Sequence, residues 1–289
     1  MRNETWVIAA PRLITTTIAS DAARAAGPGT GPEGSSFGDG RGPVAMVSAA
    51  VNAGSVRVEA WDRLDVELEV LAVSERSLVA SLSDDEFQVS YEFAGIEGLV
   101  DRVKGLRNKD SADIVLRVPH GAAVKVSTLR ASVSIEGVDG PVTVSSVDGA
   151  VEIHGAAASV NVSTVAGVVH VTDHRGAVNV KTGTGAIELG GQLTRAEVNT
   201  VSGAVSVQAG TRASLISAKT VSSTVALRLP LGVGVDLHAR SVSGTVLLDG
   251  VNLKRPGART ALVDHVEADA TTFLSTSTIS GDVLISRGD

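Results

Sequence analysis

The sequence predicts an all-β protein: a parallel β-solenoid of 18-residue rungs with an N-terminal β-rich capping region. Three observations support this prediction. A phrase close to VxVSTVxGxVxV recurs every 18 residues, and apolar and polar residues alternate within it. The chain is 43% hydrophobic but only 2% aromatic, and it contains 31 glycines. Its core must therefore be built from valine and other small apolar residues, which suit a pleated sheet with frequent turns.

The repeat is regular in the middle of the chain and drifts towards its end. Successive copies open at Val124, Val142, Val160, Val178 and Ala196, and later ones at Ile216, Leu237 and Leu274. The last spacing is 37 residues, about two units, so one degenerate copy is expected within 250–272. A fixed period of this kind predicts stacked units that share a continuous core.

Each unit reads as two short strands, each followed by a turn. In residues 124–141 the apolar positions are offsets 0, 2, 5, 9, 11 and 14 from the opening valine, so the set 0, 2, 5 recurs after nine residues. We expect these repeated letters to face inward or to form turns. Parallel stacking predicts one buried ladder of Val133, Val151, Val169, Ile187 and Val205, and a second of Ile135, Ile153, Val171, Leu189 and Val207.

Glycine recurs at offset 7 of the unit. The position is occupied by Gly149, Gly167, Gly185, Gly203, Gly244 and Gly281, while Ala131 and Ser223 fill the same slot in other copies. Because alanine and serine are admitted, the pattern favours close backbone approach over an obligatory positive φ.

The repeat divides the chain at about residue 110. We expect 111–289 to form the solenoid and 1–110 to form the capping region, with a Gly/Pro-rich loop at 21–43. The cap would cover an exposed strand edge, and 250–289 would close the far end. Residues 61–65, WDRLD, read as a hairpin connection. Residues 95–110 fit either a short helix or an irregular loop.

Composition excludes several functions. The net charge is −7 and no basic run is present, which disfavours nucleic-acid binding. The chain has no cysteine and no apolar stretch long enough for a transmembrane helix. The apolar run at 6–10 is too short for a signal-peptide core, which predicts a cytoplasmic location, with a surface location by another export route left open.

Candidate metal sites are sparse. The best cluster is HVTDH, with His170 on a strand and Asp173 and His174 in the following turn, but a metal site needs three or four converging ligands. Calcium-binding repeats need an aspartate in every turn, whereas Asp139 and Asp148 do not recur in register. The sequence therefore predicts no metal and no cofactor.

The outward column at offset 10 holds the only candidate site residues. Its members are Ser134, Glu152, His170, Glu188 and Ser206. Glu152 and Glu188 would lie two rungs apart, ~9.6 Å along the stack, with His170 between them. Paired carboxylates at such a distance are used by inverting glycosidases, but a solvated face is the simpler interpretation.

Polar pairs also recur at offsets 3 and 4. They are Ser127 with Thr128, Ser145 with Ser146, Ser163 with Thr164, and Asn199 with Thr200. Flat hydroxyl arrays can bind ordered surfaces. We prefer the alternative that these groups satisfy backbone atoms at each corner.

The phrases GSVRVEAWDR and ADIVLRVPHGAAVKVSTL, followed by serial VSTVxGxVxV phrases, resemble the bacterial "putative adhesin" β-repeat family of unknown function. The resemblance covers roughly residues 50–289 and implies adhesion, without catalytic residues to carry over.

The leading hypothesis is a non-enzymatic β-solenoid scaffold or adhesin-like binding protein that acts through its flat faces or ends. Its partner would be a protein or a surface polymer, and a homo-oligomer is a further option. The alternative is a carbohydrate-binding or carbohydrate-active protein that uses Glu152, His170 and Glu188.

Overall fold

The computed structural model describes residues 3–17, 46–74, 76–83, 86–91 and 110–288. The predicted loop at 21–43 lies outside these ranges, and so does 95–110 except for Asp110. Among the described residues all helices and strands are strands, and none forms a helix that could span a membrane. The strands are β1 (Asn3–Ile8), β2 (Arg12–Thr17), β3 (Met46–Trp61), β4 (Asp65–Ser74), β5 (Leu78–Ser83), β6 (Glu86–Tyr91), β7 (Ser111–Pro119), β8 (Ala123–Glu136), β9 (Val142–Asp148), β10 (Val151–His154), β11 (Val160–Ala166), β12 (Val169–Thr184), β13 (Ile187–Ser202), β14 (Val205–Ala209), β15 (Leu215–Lys219), β16 (Val225–Leu229), β17 (Gly234–Ser241), β18 (Val246–Leu248), β19 (Val251–Asn252), β20 (Ala261–Val266), β21 (Ala270–Thr278) and β22 (Val283–Arg287).

Strands β8 to β13 pair in parallel with an offset of 18 residues. The opening residues are neighbours in the order Val124, Val142, Val160, Val178 and Ala196. The second halves of the units pair in the same way, with Val133 beside Val151 and Val151 beside Val169. The predicted all-β class and the 18-residue register of this region are therefore confirmed.

The inward side chains form long apolar ladders. The first predicted ladder is nine residues long and runs through Val56, Val133, Val151, Val169, Ile187, Val205, Val225, Val283 and Val246. Every member is at most 1% exposed. Full burial of such a side chain contributes about 1.5–3 kcal/mol, so the ladder is a major source of stability.

The last units do not stack in chain order. Strand β21 pairs in parallel with β15 on one side and β17 on the other, so Leu274 lies between Ile216 and Leu237. Strand β22 is inserted in the same way between β16 and β18. The copies that open at these three residues are thus aligned, but in the spatial order 216, 274, 237.

The degenerate parallel copy expected within 250–272 is not there, and that prediction is wrong. The segment instead contributes β19 and β20, which run antiparallel along β18 and β17. They cover the last parallel strands, and the chain then returns to supply the inserted pair. The return is anchored by Arg287, which donates to the carboxylates of Asp249 and Glu267 at 2.8 and 2.7 Å.

The N-terminal strands join the same sheet through β3. Val47 and Val56 of β3 pair in parallel with Val124 and Val133 of β8. Two antiparallel sets flank it: β1, β5 and β6 on one half of β3, and β2, β4 and β7 on the other. The boundary at residue 110 stays a prediction, and β3 lies on its N-terminal side.

The hairpin predicted around WDRLD does not form. Strands β3 and β4 are joined by a short turn, in which the indole nitrogen of Trp61 donates to the Asp65 carbonyl at 2.8 Å. Each strand pairs with β7, however, which lies between them. Arg117 of β7 explains this arrangement, because its guanidinium pairs with Glu59 of β3 and with Glu67 and Glu69 of β4.

The repeated glycines allow the backbones to meet at the corner. At Gly149, Gly167, Gly185 and Gly203 the φ angles are 136°, 140°, 128° and 125°. A Cβ atom on Gly185 would lie 1.9 Å from the carbonyl oxygen of Gly167. The predicted close approach is confirmed, and the positive φ adds a second reason for glycine at these four corners.

The hydroxyls beside the corner satisfy backbone groups, as the sequence favoured. The side chains of Thr164, Thr182 and Thr200 each donate to the carbonyl oxygen two residues further on, at 3.1, 3.0 and 3.2 Å. They are almost completely buried, so these bonds pay the desolvation cost of the hydroxyl groups.

The apolar residues at offset 5 lie at the turn and are exposed. They are Val147, Val165, Val201, Val221, Ile279 and Val242, here called the valine stripe, each between 40% and 60% exposed. Gly183 takes the corresponding place between Val165 and Val201. The stripe therefore follows one edge of the sheet across seven successive strands.

We predict that Val169→Asp prevents stable folding. Residue 169 is fully buried between Val151 and Ile187, and an unpaired carboxylate there costs several kcal/mol, about the whole stability of many domains. Denaturant titration and soluble yield measure the effect.

The matched control is Val168→Asp, since the neighbouring Val168 is exposed. Wild-type stability for Val169→Asp, or equal damage by both substitutions, would contradict the inward assignment.

Candidate functional site

The predicted offset-10 residues form one continuous outward column. The register places Glu152 between Ser134 and His170, and His170 between Glu152 and Glu188. The Nδ1 atom of His170 lies 2.9 Å from a carboxylate oxygen of Glu188. The structure thus brings together all three candidate residues, because each sits at the same position of a parallel strand.

A second outward column lies two residues further along the same strands. It contains Glu136, His154 and Thr172. The His154 ring is 2.9 Å from the Thr172 hydroxyl and 3.5 Å from an Asp173 carboxylate oxygen. Between the two columns runs a shallow open groove of about 240 Å³. We call it the His–Glu groove, and it is lined by Ser134, Ile135, Glu136, Glu152, Ile153, His154, His170 and Thr172.

The His–Glu groove can bind polar groups but is poorly arranged for hydrolysis. Its imidazoles and carboxylates can donate to and accept from hydroxyl groups. A hydrolytic pair would require Glu152 and Glu188 to flank a substrate bond. Here His170 occupies the strand between them and pairs with Glu188.

The HVTDH segment does not converge on one point. His170 faces outward, whereas His174 is completely buried and was predicted wrongly as a turn residue. The cause is a register irregularity between Val171 and His174, where Asp173 adopts a φ of 51°. Among the described residues, no group of three His, Asp or Glu side chains could hold a metal ion.

His174 occupies an inward position that apolar side chains fill in other units. Its backbone is beside Gly191, and Ala156 and Leu193 of the flanking units are also buried. Neither ring nitrogen makes a hydrogen bond of good geometry. Burial lowers the pKa of His174 below its usual value, against an opposing effect of the nearby backbone groups of Ala156 and Ala177.

A further groove was not predicted. It has a volume of about 300 Å³ and contains the exposed side chains of Leu215 and Phe273, which are neighbours in the register. His238 lies at its edge, 2.8 Å from Asp264 and 3.2 Å from Asp236. The hydrogen bond with Asp264 raises the pKa of His238. The one sequence signal was an aromatic residue at an outward position, because the out-of-order insertion of β21 hides its neighbours.

Comparison with known proteins gives little. No family model matches the chain, and no curated protein matches it. A "putative cell adhesion protein" from Clostridium sporogenes aligns over 96% of this chain and 100% of its own, with 7% identity and a TM-score of 0.26. A "putative lipid binding protein" from Parabacteroides distasonis aligns over 97% and 98%, with 11% identity and a TM-score of 0.32. Scores this low establish no common fold or role.

We predict that His174 makes the protein less stable as the pH falls. Its folded-state pKa lies below the unfolded value of 6.5, so the unfolded chain takes up a proton first. The free energy of unfolding should therefore decrease from about pH 6.5 downwards and level off below the folded pKa.

Denaturant titrations between roughly pH 7 and pH 5 measure this slope. It should be shallower in His174→Leu than in the wild type, whereas His154→Gln, at an exposed histidine, should leave it unchanged. An identical slope in His174→Leu would show that the buried ring does not titrate as described.

Proposed function

We propose that this chain is a β-solenoid scaffold of 18-residue rungs that binds a surface polymer in the manner of an adhesin and catalyses no reaction. The observation that carries the proposal is the array of outward polar side chains created by the strand register. One column contains Thr143, Asn161 and Asn179, and the next begins with Ser145 and Ser163. We call these five residues the amide–hydroxyl face.

The spacing of this face suits a repeating partner. Equivalent side chains recur every ~4.8 Å along the sheet, the distance between neighbouring strands. Amide and hydroxyl groups both donate and accept hydrogen bonds, as do the hydroxyl and amide groups of polysaccharides. Each bond contributes only about 0.5–1.5 kcal/mol, so useful affinity requires many equivalent contacts at once.

The charge pattern supports an uncharged polymer over nucleic acid. The five residues of the amide–hydroxyl face are all neutral, and the chain as a whole carries a net charge of −7. A polyanion would find no compensating positive surface on this face. In this proposal residues 111–289 form the repeat domain, and 1–110 form the capping region that β3 connects to it.

A second candidate is carbohydrate binding at the His–Glu groove. The observation that favours it is the alternation of Glu152, His170 and Glu188 along one column, with His154 in the adjacent column. Charged carboxylates bind sugar hydroxyls more strongly than neutral groups do. We propose binding there without turnover, because His170 separates the two carboxylates.

The proposal predicts that Asn161→Glu with Ser163→Glu weakens polymer binding by at least ~10-fold. Both side chains are exposed, and their replacement removes two hydrogen-bonding groups from the face and adds charge. Co-sedimentation of the full chain with cellulose, chitin and peptidoglycan measures the binding, and melting curves check that the variant is folded.

The matched control is Glu152→Gln with Glu188→Gln, which alters the His–Glu groove. Binding that survives in the control and falls in the Asn161/Ser163 variant supports the amide–hydroxyl face. The reverse result supports the second candidate. Wild-type protein that binds none of the three polymers, or a turnover abolished by one polar substitution, would overturn the proposed function.

A further inference from the structure

The valine stripe is the longest regular apolar feature on the surface of the described residues. Its six members stand at one repeat position, so they form a single file along the edge of the sheet, in the order 147, 165, 201, 221, 279 and 242 with Gly183 as the third place. Isolated exposed valines need no explanation, but a contiguous row at the same position is typical of an interaction surface.

The turn glycines make the stripe accessible. Three residues after the stripe position, across the glycine, stand small side chains: Ala150, Val168, Ala186 and Ala204. Because the intervening glycines have no side chain, the edge presents two apolar rows with a shallow depression between them. Such a surface can accept a second row of valines between its own rows.

The stripe is almost free of charge. Across its seven strands, from one residue before the stripe position to three residues after it, the charged side chains are Asp148 and Asp282. An uncharged surface can meet a copy of itself without repulsion, which a two-fold interface requires because the same patch is contributed by both partners.

We propose that two copies of this chain associate through their valine stripes, antiparallel, about a two-fold axis at Val201. Val201 is the fourth of the seven positions, so an antiparallel arrangement places Val147 of each copy opposite Val242 of the other. Both copies then share the ~4.8 Å strand period, and their side chains can interdigitate over the whole stripe.

The charges at the two ends select the antiparallel orientation. Asp148 follows Val147 at one end of the stripe and is exposed. At the other end the Lys254 ammonium lies 3.3 Å from the Gly244 carbonyl oxygen, two residues from Val242. Antiparallel packing brings each aspartate near the lysine of the other copy, whereas parallel packing would bring the two aspartates together.

The dimensions predict a weak, reversible dimer. Six strand spacings give a stripe ~29 Å long, and two rows of small side chains make it ~10 Å wide. This surface is smaller than the ~800 Å² per partner of a standard interface. We expect a dissociation constant on the order of 10–100 μM. The inference does not depend on polymer binding, since the amide–hydroxyl face lies outside the stripe.

Sedimentation equilibrium of the full chain over roughly 1–200 μM tests the association. The wild type should pass from monomer to dimer, and Val201→Lys should weaken the association at least ~10-fold. Ser163→Lys is the matched control, because it is exposed and its neighbour on the next strand is already a lysine, Lys181. It should dimerise like the wild type. A wild type that stays monomeric over this range overturns the proposal.

Cysteine substitution tests the two-fold axis, since the chain has no cysteine of its own. Under mild oxidation Val201→Cys should form a disulfide between copies. Val147→Cys alone should not, whereas a mixture of Val147→Cys and Val242→Cys should form the mixed dimer. Equal cross-linking of Val147→Cys and Val201→Cys would overturn the antiparallel arrangement, whatever the effect of Val201→Lys on folding.

Discussion

Burial of the inward valines requires neighbouring strands to keep one register, because a slip of a single residue would turn each inward side chain to solvent. The ladder through Val133, Val151 and Val169 is at most 1% exposed and continues across nine strands. No single strand pair buries these side chains completely, so the units are stable only together. The outward columns, the corners and both grooves take their positions from this register.

The corners have a second constraint, which is the close passage of one backbone over the next. Gly167 and Gly185 stand where a Cβ atom would overlap the preceding carbonyl group, and the neighbouring threonines return their hydroxyls to the backbone. The turn is then too tight to bury the residue at offset 5, so Val165 and Val201 remain exposed. An apolar edge is therefore a consequence of how each unit turns, and the proposed self-association would bury it.

Much of this arrangement could be predicted from the sequence, because the repeat is regular where the side chains are periodic. The inward ladders, the glycine corners and the column of Glu152, His170 and Glu188 all follow from an offset of 18. The repeat could not reveal that the unit at Leu274 inserts between those at Ile216 and Leu237, since parallel neighbours carry the same pattern in any order. Nor could it place His174, because one irregular residue at Asp173 shifts the inward position.

The most direct test of the account is the strand register itself, measured with pairs of nitroxide spin labels on single copies at low concentration. Labels at 143 and 161 should show the strongest spin–spin interaction, because Thr143 and Asn161 are direct neighbours ~4.8 Å apart on adjacent strands. Pairs that join 143 to Ser159 or to Ser163 should interact more weakly, since those positions lie diagonally. The strongest interaction in either diagonal pair, or none in any pair, would contradict the 18-residue register.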